Sequence, residues 1–423
     1  MLRTYRYLIG FLFPILVIVI FLRSILKKED KVRYKEKIFS SSFNSNRENK
    51  KKLIWFHSAS IGEVLSILPL IREINNSNKD LNFLITTVTL SSSKLLEGKI
   101  SQFNNITHRF FPLDTEKLSK NFLDTWKPDL VCFVDSEIWP NFLFKIKEYK
   151  IPLVLINARI TKKTFNRWKI LPRFAKEVFN NFNLCLASSE ESKINLEQLK
   201  LKNIKYFGNL KFTHKNNINS LNTINLKILD NFKVWCCAST HAGEETIIAK
   251  THIKIKKKIS NTLTIIIPRH ISRTSNIKKL LKKFNLNIQI LNDGDTINND
   301  SEILIINSFG ILSKYYNYCD NIFIGKSFIK KLEFVAGQNP IEAAKSGCKI
   351  FHGPYVYNFH EIYNLLKIYH ISYQVNDEAD LAEKIIENFN YPQKINNNGI
   401  ALLDKYGEEV LQQTVFELNK LLN

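Results

Sequence analysis

The stretch WFHSASIGEVLSILPLI, residues 55–71, passes from an apolar run through a polar loop into a helix pattern and sets Glu63 at the junction. Ser60 and Glu63 stand at the spacing of a capping box, in which the first side chain accepts from the N3 amide and the second reaches back. An acidic first turn also suits the helix dipole. A carboxylate can equally take a proton where burial raises its pKa. The stretch alone leaves the structural and the chemical use open. Metal chemistry has no such foothold: there is no H-E-x-x-H among the nine histidines, and Cys132, Cys185, Cys236, Cys237, Cys319 and Cys348 show no C-x-x-C spacing. Neither a zinc site nor a disulfide framework is expected, and a reducing compartment is.

The elements that must position Glu63 are legible as alternation. From Leu53 the apolar runs LIWF, FLITTV, RFFPL, LVCFV, LVLIN, LCLAS and IKYFG are separated by helix-length stretches, the pattern of parallel strands buried on both faces. The polar, turn-rich THKNNINSLNTIN, residues 213–225, interrupts the series and marks an interdomain boundary. A second series follows: VWCCAS, LTIIIP, IQIL, ILIIN, NIFIG and CKIFH. The halves begin alike, since ASIGEV follows the first strand of one and THAGEE the first strand of the other. Neither loop is a G-x-G-x-x-G fingerprint, which counts against a dinucleotide oxidoreductase. The layout predicts an α/β protein of GT-B type: two Rossmann-like domains, residues 51–215 and 216–390, facing a central cleft where ligands sit at the strands' carboxyl ends. Helical patterns near Leu381–Phe389 and Leu402–Leu422 close the chain, with residues 391–423 expected to pack back across the domains.

The N-terminus differs from all of this. Leu8 to Leu22 reads LIGFLFPILVIVIFL, uncharged and flanked by Arg3 and Arg6 before and Arg23, Lys27 and Lys28 after. Residues 1–30 therefore read as a membrane anchor, either a tilted span or an interfacial helix, because about fifteen apolar residues fall short of the roughly twenty that a straight span needs. No small-residue cleavage site follows. The denser basic cluster from Arg23 to Lys37 keeps the body on the cytoplasmic side of an inner membrane, and residues 31–50 read as a basic, flexible tether. The net charge of +22, from 61 Lys and Arg against 39 Asp and Glu, suits an anionic membrane surface, although a Lys-, Asn- and Ile-rich coding bias supplies part of it. Nucleic acid is not expected as a partner.

Several stretches in fixed order carry more specific information: HSASIGEV, SEIWPNFL, IPLVLINARIT, FGNLKF, ASTHAGEE, PRH and QNPIEAAKSGCKIFHGPYVYNFHE. Together, over about residues 50–370, they resemble the Kdo transferases. These membrane-associated enzymes move 3-deoxy-D-manno-oct-2-ulosonic acid (Kdo) from CMP-Kdo onto the lipid A precursor, lipid IVA, in lipopolysaccharide biosynthesis. The resemblance implies that Glu63 is the general base that deprotonates the acceptor's primary hydroxyl, and that Glu137 and Lys211 stabilise the transition state. A fixed cation opposite the departing phosphate and the Kdo carboxylate lowers the barrier. As bare residues, Lys211 is an ordinary surface lysine and Glu137 a helix-start acid ahead of Pro140.

The same resemblance makes the first domain the acceptor half and the second the donor half. It assigns CMP contacts to Pro268 and Arg269, to Phe309, Gly310 and Ile311, and to Asn339, Pro340, Ile341 and Glu342. NPIEAA also reads as an Asn cap, Pro at N1 and Glu in the first turn. No cofactor or metal is implied beyond CMP-Kdo as the donor substrate. Three positions depart from the family pattern: Lys326 where a second glycine is expected, Gln338 for His, and Thr213 for Asp. The rival readings are another GT-B transferase using a UDP-sugar and a lipid acceptor, and a non-catalytic, membrane-tethered nucleotide-binding protein.

Overall fold

The computed structural model describes residues 1–44, 51–214, 226–292, 294–308, 311–392 and 397–422. They fall into two compact units, Met1–His214 with Tyr406–Asn423, and Lys215–Lys405. The first unit holds strands β1 (Lys52–His57), β2 (Leu81–Thr87), β3 (Ile106–Phe110), β4 (Leu130–Val134), β5 (Leu153–Ala158), β6 (Leu184–Ala187) and β7 (Ile204–Tyr206). They pair in parallel in the order β3-β2-β1-β4-β5-β6-β7. Six of the seven apolar runs of the first series fall on these strands, whereas RFFPL, residues 109–113, overlaps β3 only at Arg109 and Phe110, because β3 begins earlier at Ile106.

Both faces of this sheet are buried, and the side chains alternate between them. Trp55, Val131, Phe133 and Leu155 enter one cluster, whereas Ile54, Phe56, Cys132 and Ile156 enter the other. Trp55 is the hub of the first face, with ring centroids 4.8 Å from Phe122, 5.5 Å from Phe133 and 5.6 Å from Phe142. Such aromatic pairs contribute about 0.5–1.5 kcal/mol each beyond area burial. The helix Ile61–Ser77 covers the second face through Val64, Ile67, Ile71 and Ile74. The final helix, Asn397–Leu422, joins the same cluster with Val410, Leu411, Val415 and Leu418.

The second unit holds β8 (Lys233–Thr240), β9 (Thr262–Pro268), β10 (Ile288–Leu291), β11 (Ile303–Ile306), β12 (Asn321–Ile324), β13 (Lys349–His352) and β14 (Ser372–Gln374). These strands are again parallel, in the order β10-β11-β9-β8-β12-β13-β14. The six runs of the second series are β8 to β13. Sequence patterning missed β14, a three-residue strand pairing only with β13, whose polar residues Ser372 and Gln374 give no apolar run.

The N-terminal helix spans Leu2–Ile25 and is long and apolar enough to cross a membrane. The tether expected over residues 31–50 is corrected for 31–44. Those residues form two short helical turns, Arg33–Lys37 and Ser40–Ser42, that fold onto the first unit. The buried Glu36 carboxylate accepts from the Phe110 amide at 2.8 Å and pairs with Arg33, the buried Lys37 ammonium donates to Glu29 at 2.6 Å, and Phe43 packs edge-on against Phe122. Hydrophilic composition concealed partners that lie far away in sequence. Residues 45–50, and residues 215–225 of the expected interdomain stretch, lie outside the described residues.

Gly407 shows how tightly the last helix seats. A Cβ there would stand 2.3 Å from the Phe212 carbonyl oxygen, next to Lys211. Gly407→Ala must push the helix off the Leu210–Thr213 turn, and the expected cost is about 1–3 kcal/mol. A lower denaturation midpoint with an unchanged m-value checks this. An unaltered midpoint shows that the helix is not seated there.

Candidate active site

In an open parallel sheet, ligands sit outside the strands' carboxyl ends where the strand order reverses. In the first unit that point lies between β1 and β4. The end of β1 carries His57 and the loop into the helix of Glu63, and the end of β4 carries Asp135 and Glu137. The Glu63 amide donates to Ser60 Oγ at 3.4 Å, while the Glu63 carboxylate accepts from the Ala59 amide and the Ser60 hydroxyl, both at 2.7 Å. The capping spacing is therefore realised. Burial nevertheless pushes the Glu63 carboxyl up to about 7, and the negative charges of Asp135 and Glu137 add to that rise against the opposing effect of its hydrogen bonds.

Glu137 sits in a different field. Burial alone would raise its carboxyl, but hydrogen bonds from His57 Nε2 at 3.2 Å and Trp139 Nε1 at 2.8 Å hold it below the usual carboxylate range. It is not the cap of the following helix, Pro140–Glu148. The first free amides of that helix, at Asn141 and Phe142, donate instead to Asp114 at 3.1 and 3.0 Å. His57 is held on its other nitrogen, 3.0 Å from Thr86 Oγ1. A carboxylate, an imidazole and a hydroxyl thus form one chain across the ends of β1, β2 and β4.

Asp135 is the residue that sequence reading passed over. It is buried, and Lys211 Nζ lies 3.8 Å from its carboxylate. Burial raises the Asp135 carboxyl even though Lys211 and Arg159 act to lower it. Asp135 has φ 60° and Asn157, at the end of the neighbouring β5, has φ 52°. Non-glycine residues in this left-handed region store strain, and such strain clusters at functional sites. Asn157 Oδ1 accepts from the Leu210 amide at 3.0 Å and Asn209 Oδ1 from the Lys211 amide at 3.0 Å, which fixes the turn carrying the lysine. Thr213, in place of the expected Asp, is buried and donates to the Leu210 carbonyl at 2.8 Å. The signal for Asp135 was present as a polar residue closing a wholly apolar strand.

In the second unit the order reverses between β8 and β12. Glu244, the counterpart of Glu63 by its place after the first strand, is fully buried. Its carboxylate accepts from the amides of His241 (2.9 Å), Lys326 (2.7 Å), Ser327 (2.8 Å) and Phe328 (3.2 Å). This joins the ends of β8 and β12 and holds Lys326 at φ 60°. Pro268 ends β9; Arg269 follows, exposed, with its amide on the Thr240 carbonyl at 3.1 Å. Four residues on, Arg273 pairs with the buried Glu245 at 2.9 Å.

Ile311 follows β11 and is buried. Phe309 and Gly310 lie outside the described residues. Asn339 Oδ1 accepts from the Ile341 amide at 3.1 Å, the bond an Asn cap ahead of Pro340 makes, and burial raises the Glu342 carboxyl. Gln338 accepts on its backbone oxygen from the Tyr363 hydroxyl at 3.1 Å. The structure thus groups Glu63, Glu137 and Lys211 in one unit. In the other, Pro268 closes β9 with Arg269 next to it, Ile311 follows β11, and residues 339–342 open the helix Ile341–Lys345 between β12 and β13. Among the described residues, no three His, Cys, Asp or Glu side chains gather as metal ligands.

Residues 33–214 match the family model described as 3-deoxy-D-manno-octulosonic-acid transferase (Kdo transferase). Over 357 residues the chain is 33% identical to a 3-deoxy-D-manno-octulosonic acid transferase of Rickettsia bellii, covering 84% of this chain and 82% of that one. The chain belongs to the Kdo transferase family. A Haemophilus influenzae Kdo transferase is 27% identical over 88% of this chain and 86% of its own. A probable mitochondrial Kdo transferase of Arabidopsis thaliana is 30% identical, with coverage of 88% and 84%. The fold is of GT-B type. Among solved structures it is similar to a Neisseria meningitidis UDP-GlcNAc 2-epimerase (TM-score 0.57, 15% identity, 88% of this chain and 100% of that one). It is also similar to Anabaena HepE (TM-score 0.59, 14% identity, 88% and 100%). The segment of this Kdo transferase that matches the family model contains Glu63, Asp135, Glu137 and Lys211.

The raised Glu63 carboxyl makes a stability prediction with a definite sign. Between the unfolded value near 4.5 and the folded value of about 7, the folded chain keeps a proton that the unfolded chain has released. Its contribution is complete below pH 4.5 and is lost as pH rises to about 7. Glu63→Gln does not titrate, so its melting temperature relative to the parent should rise between pH 5 and pH 8. A difference that stays constant over that range means the carboxyl is not raised.

Proposed function

We propose that this Kdo transferase moves Kdo from CMP-Kdo to the lipid A precursor, lipid IVA, with inversion at the anomeric carbon and without a metal. It does so at the cytoplasmic face of the inner membrane. The observation that carries the reading is Glu63, a carboxyl held at about 7 beside two further carboxylates. A base serves best when its pKa lies near the working pH, since it is then ionised in a large share of molecules and still strong enough to take an alcohol's proton. In the proposed step the acceptor's primary hydroxyl gives its proton to Glu63 as its oxygen bonds to the anomeric carbon, and the bond to the CMP phosphate breaks. Lys211, fixed through its turn, offsets negative charge on the reacting anions. Glu137, ionised and held by His57 and Trp139, favours the protonated form of Glu63 once the proton has moved.

The donor is assigned to the second unit. Arg269 is exposed at the end of β9, beside residues whose backbone Glu244 pins, and its fork can take a phosphate or carboxylate in two parallel hydrogen bonds. Base and ribose contacts are assigned to Pro268 at the end of β9, to Ile311 in the segment after β11, and to Asn339, Pro340, Ile341 and Glu342 at the start of the helix Ile341–Lys345.

Glu63→Gln is expected to lower turnover by roughly the hundredfold to ten-thousandfold of lost general-base catalysis while CMP binding persists. The parent's kcat/KM should rise with pH to a plateau with an apparent pKa near 7. Near-normal transfer by the Gln variant returns Glu63 to a helix cap. Arg269→Ala should raise the donor KM roughly ten- to hundredfold, the worth of a charged hydrogen bond, with the acceptor KM little changed. CMP should compete with the donor and UDP should not; competition by UDP alone selects the UDP-sugar reading.

A further inference from the structure

The N-terminal helix Leu2–Ile25 does not leave the body of the first unit. Its buried and half-buried residues are Leu2, Tyr5, Arg6, Ile9, Leu12, Phe13, Leu16, Val17, Ile20 and Ser24, which recur in steps of three and four along the whole helix. That is one continuous face of an α-helix, and Leu2, Tyr5 and Phe13 pack against the aromatic cluster around Trp55. Both ends are also tied to the same unit. At the start, the Tyr5 hydroxyl donates to the buried Asp114 at 2.7 Å, and Arg6 bonds to Asn141 at 3.1 Å and to Glu116 at 2.8 Å. At the finish, Arg23 pairs with Glu29 at 2.8 Å, and Glu29 holds Lys37, whose ammonium also donates to the Val88 carbonyl at 2.7 Å.

The opposite face is an apolar stripe: Leu8, Phe11, Ile15, Ile18, Leu22 and Ile25 are all more than half exposed, Phe11 at 77%. Arg6 and Arg23 are about 26 Å apart along a helix rising 1.5 Å per residue, close to the 30 Å of a bilayer's hydrocarbon core. A spanning helix must set those ends on opposite sides of the membrane. Here both are bonded to one polar globular unit, which would then have to lie inside the hydrocarbon, where its exposed backbone and charges cannot be satisfied.

We propose that this helix lies in the plane of one leaflet, its stripe in the acyl region and its other face on the protein, so that the chain is held to the membrane without crossing it. Charge identifies the occupant as an anionic lipid surface. Arg3, Lys27, Lys28, Lys31 and Lys35 are exposed at the two ends of the stripe, and each basic residue near such a surface contributes to the attraction.

The six native cysteines are buried, so an introduced one reports alone. Thr4→Cys and Lys28→Cys, at exposed positions on either side of the stripe, would be labelled with a membrane-impermeant maleimide in inverted and right-side-out inner-membrane vesicles. Both should react in the orientation in which protease digests the globular body; reaction of Thr4→Cys only in the other orientation overturns the proposal. In a second arm, the double variant Phe11→Glu with Ile18→Glu should keep its melting temperature and lose most of its flotation with phosphatidylglycerol-containing vesicles. Undiminished flotation overturns the proposal, as does a parent protein that ignores vesicles and buries the stripe in a soluble dimer.

Discussion

A parallel sheet covered on both faces leaves water, and with it charge and chemistry, only to the ends of its strands. That constraint organises both units. The interiors of the strands flanking each reversal, β1, β4, β8 and β12, are apolar because either face meets packed side chains, and a polar group there would need a partner the sheet cannot supply. In β4, β9 and β12 the first residue able to carry a full charge comes after the last paired one. Glu63, Asp135 and Glu137 follow β1 and β4, and Arg269 and Lys326 follow β9 and β12. At these points the strand order reverses or nearly does, so adjacent loops diverge and leave space between them.

Crowding at one such point gives three carboxylates three different characters. Glu137 receives two ring N–H donors and stays ionised, Asp135 is buried with Lys211 nearby, and Glu63 is left with the proton. Burial is the largest cause of the rise at Glu63, the like charges of Asp135 and Glu137 add to it, and its own hydrogen bonds oppose it. The cation that balances them depends on remote packing. Lys211 stands on a turn fixed by Asn157 and by the last helix, whose Gly407 lets the backbone approach. A residue nearly two hundred positions away therefore helps to set the electrostatics of the site.

The strands were legible because burial on both faces imposes unbroken apolar runs, and β14 escaped because it is too short and too polar to do so. Glu63 could be singled out by its place in the turn after the first strand. Asp135 was visible as the polar residue closing β4, but its weight was not, because that comes from burial and from Lys211 and Arg159, which are distant in the chain. Residues 31–44 were misjudged for the same reason. Lys, Arg, Glu and Ser describe a solvated tether equally well until Glu36 is seen to accept from the Phe110 amide, and Arg33 and Lys37 to donate to Glu97 and to the Val88 carbonyl.

The two Gly-Glu loops mark the boundary between what the sequence determines and what tertiary structure decides. Both glutamates follow a first strand and open a helix, and the local pattern dictates that much in each unit through strand burial and first-turn electrostatics. Their fates then part. Glu244 is sealed by four backbone amides, three of them from the segment after β12, and becomes a structural anchor. Glu63 is buried, receives one amide and one hydroxyl from its own loop and faces two carboxylates; burial first and those charges second hold its proton until near neutrality. Local sequence specifies where a carboxylate stands along the chain. Only the folded neighbourhood specifies how deeply it is buried and which donors and charges surround it, and for Glu63 burial is the largest of these.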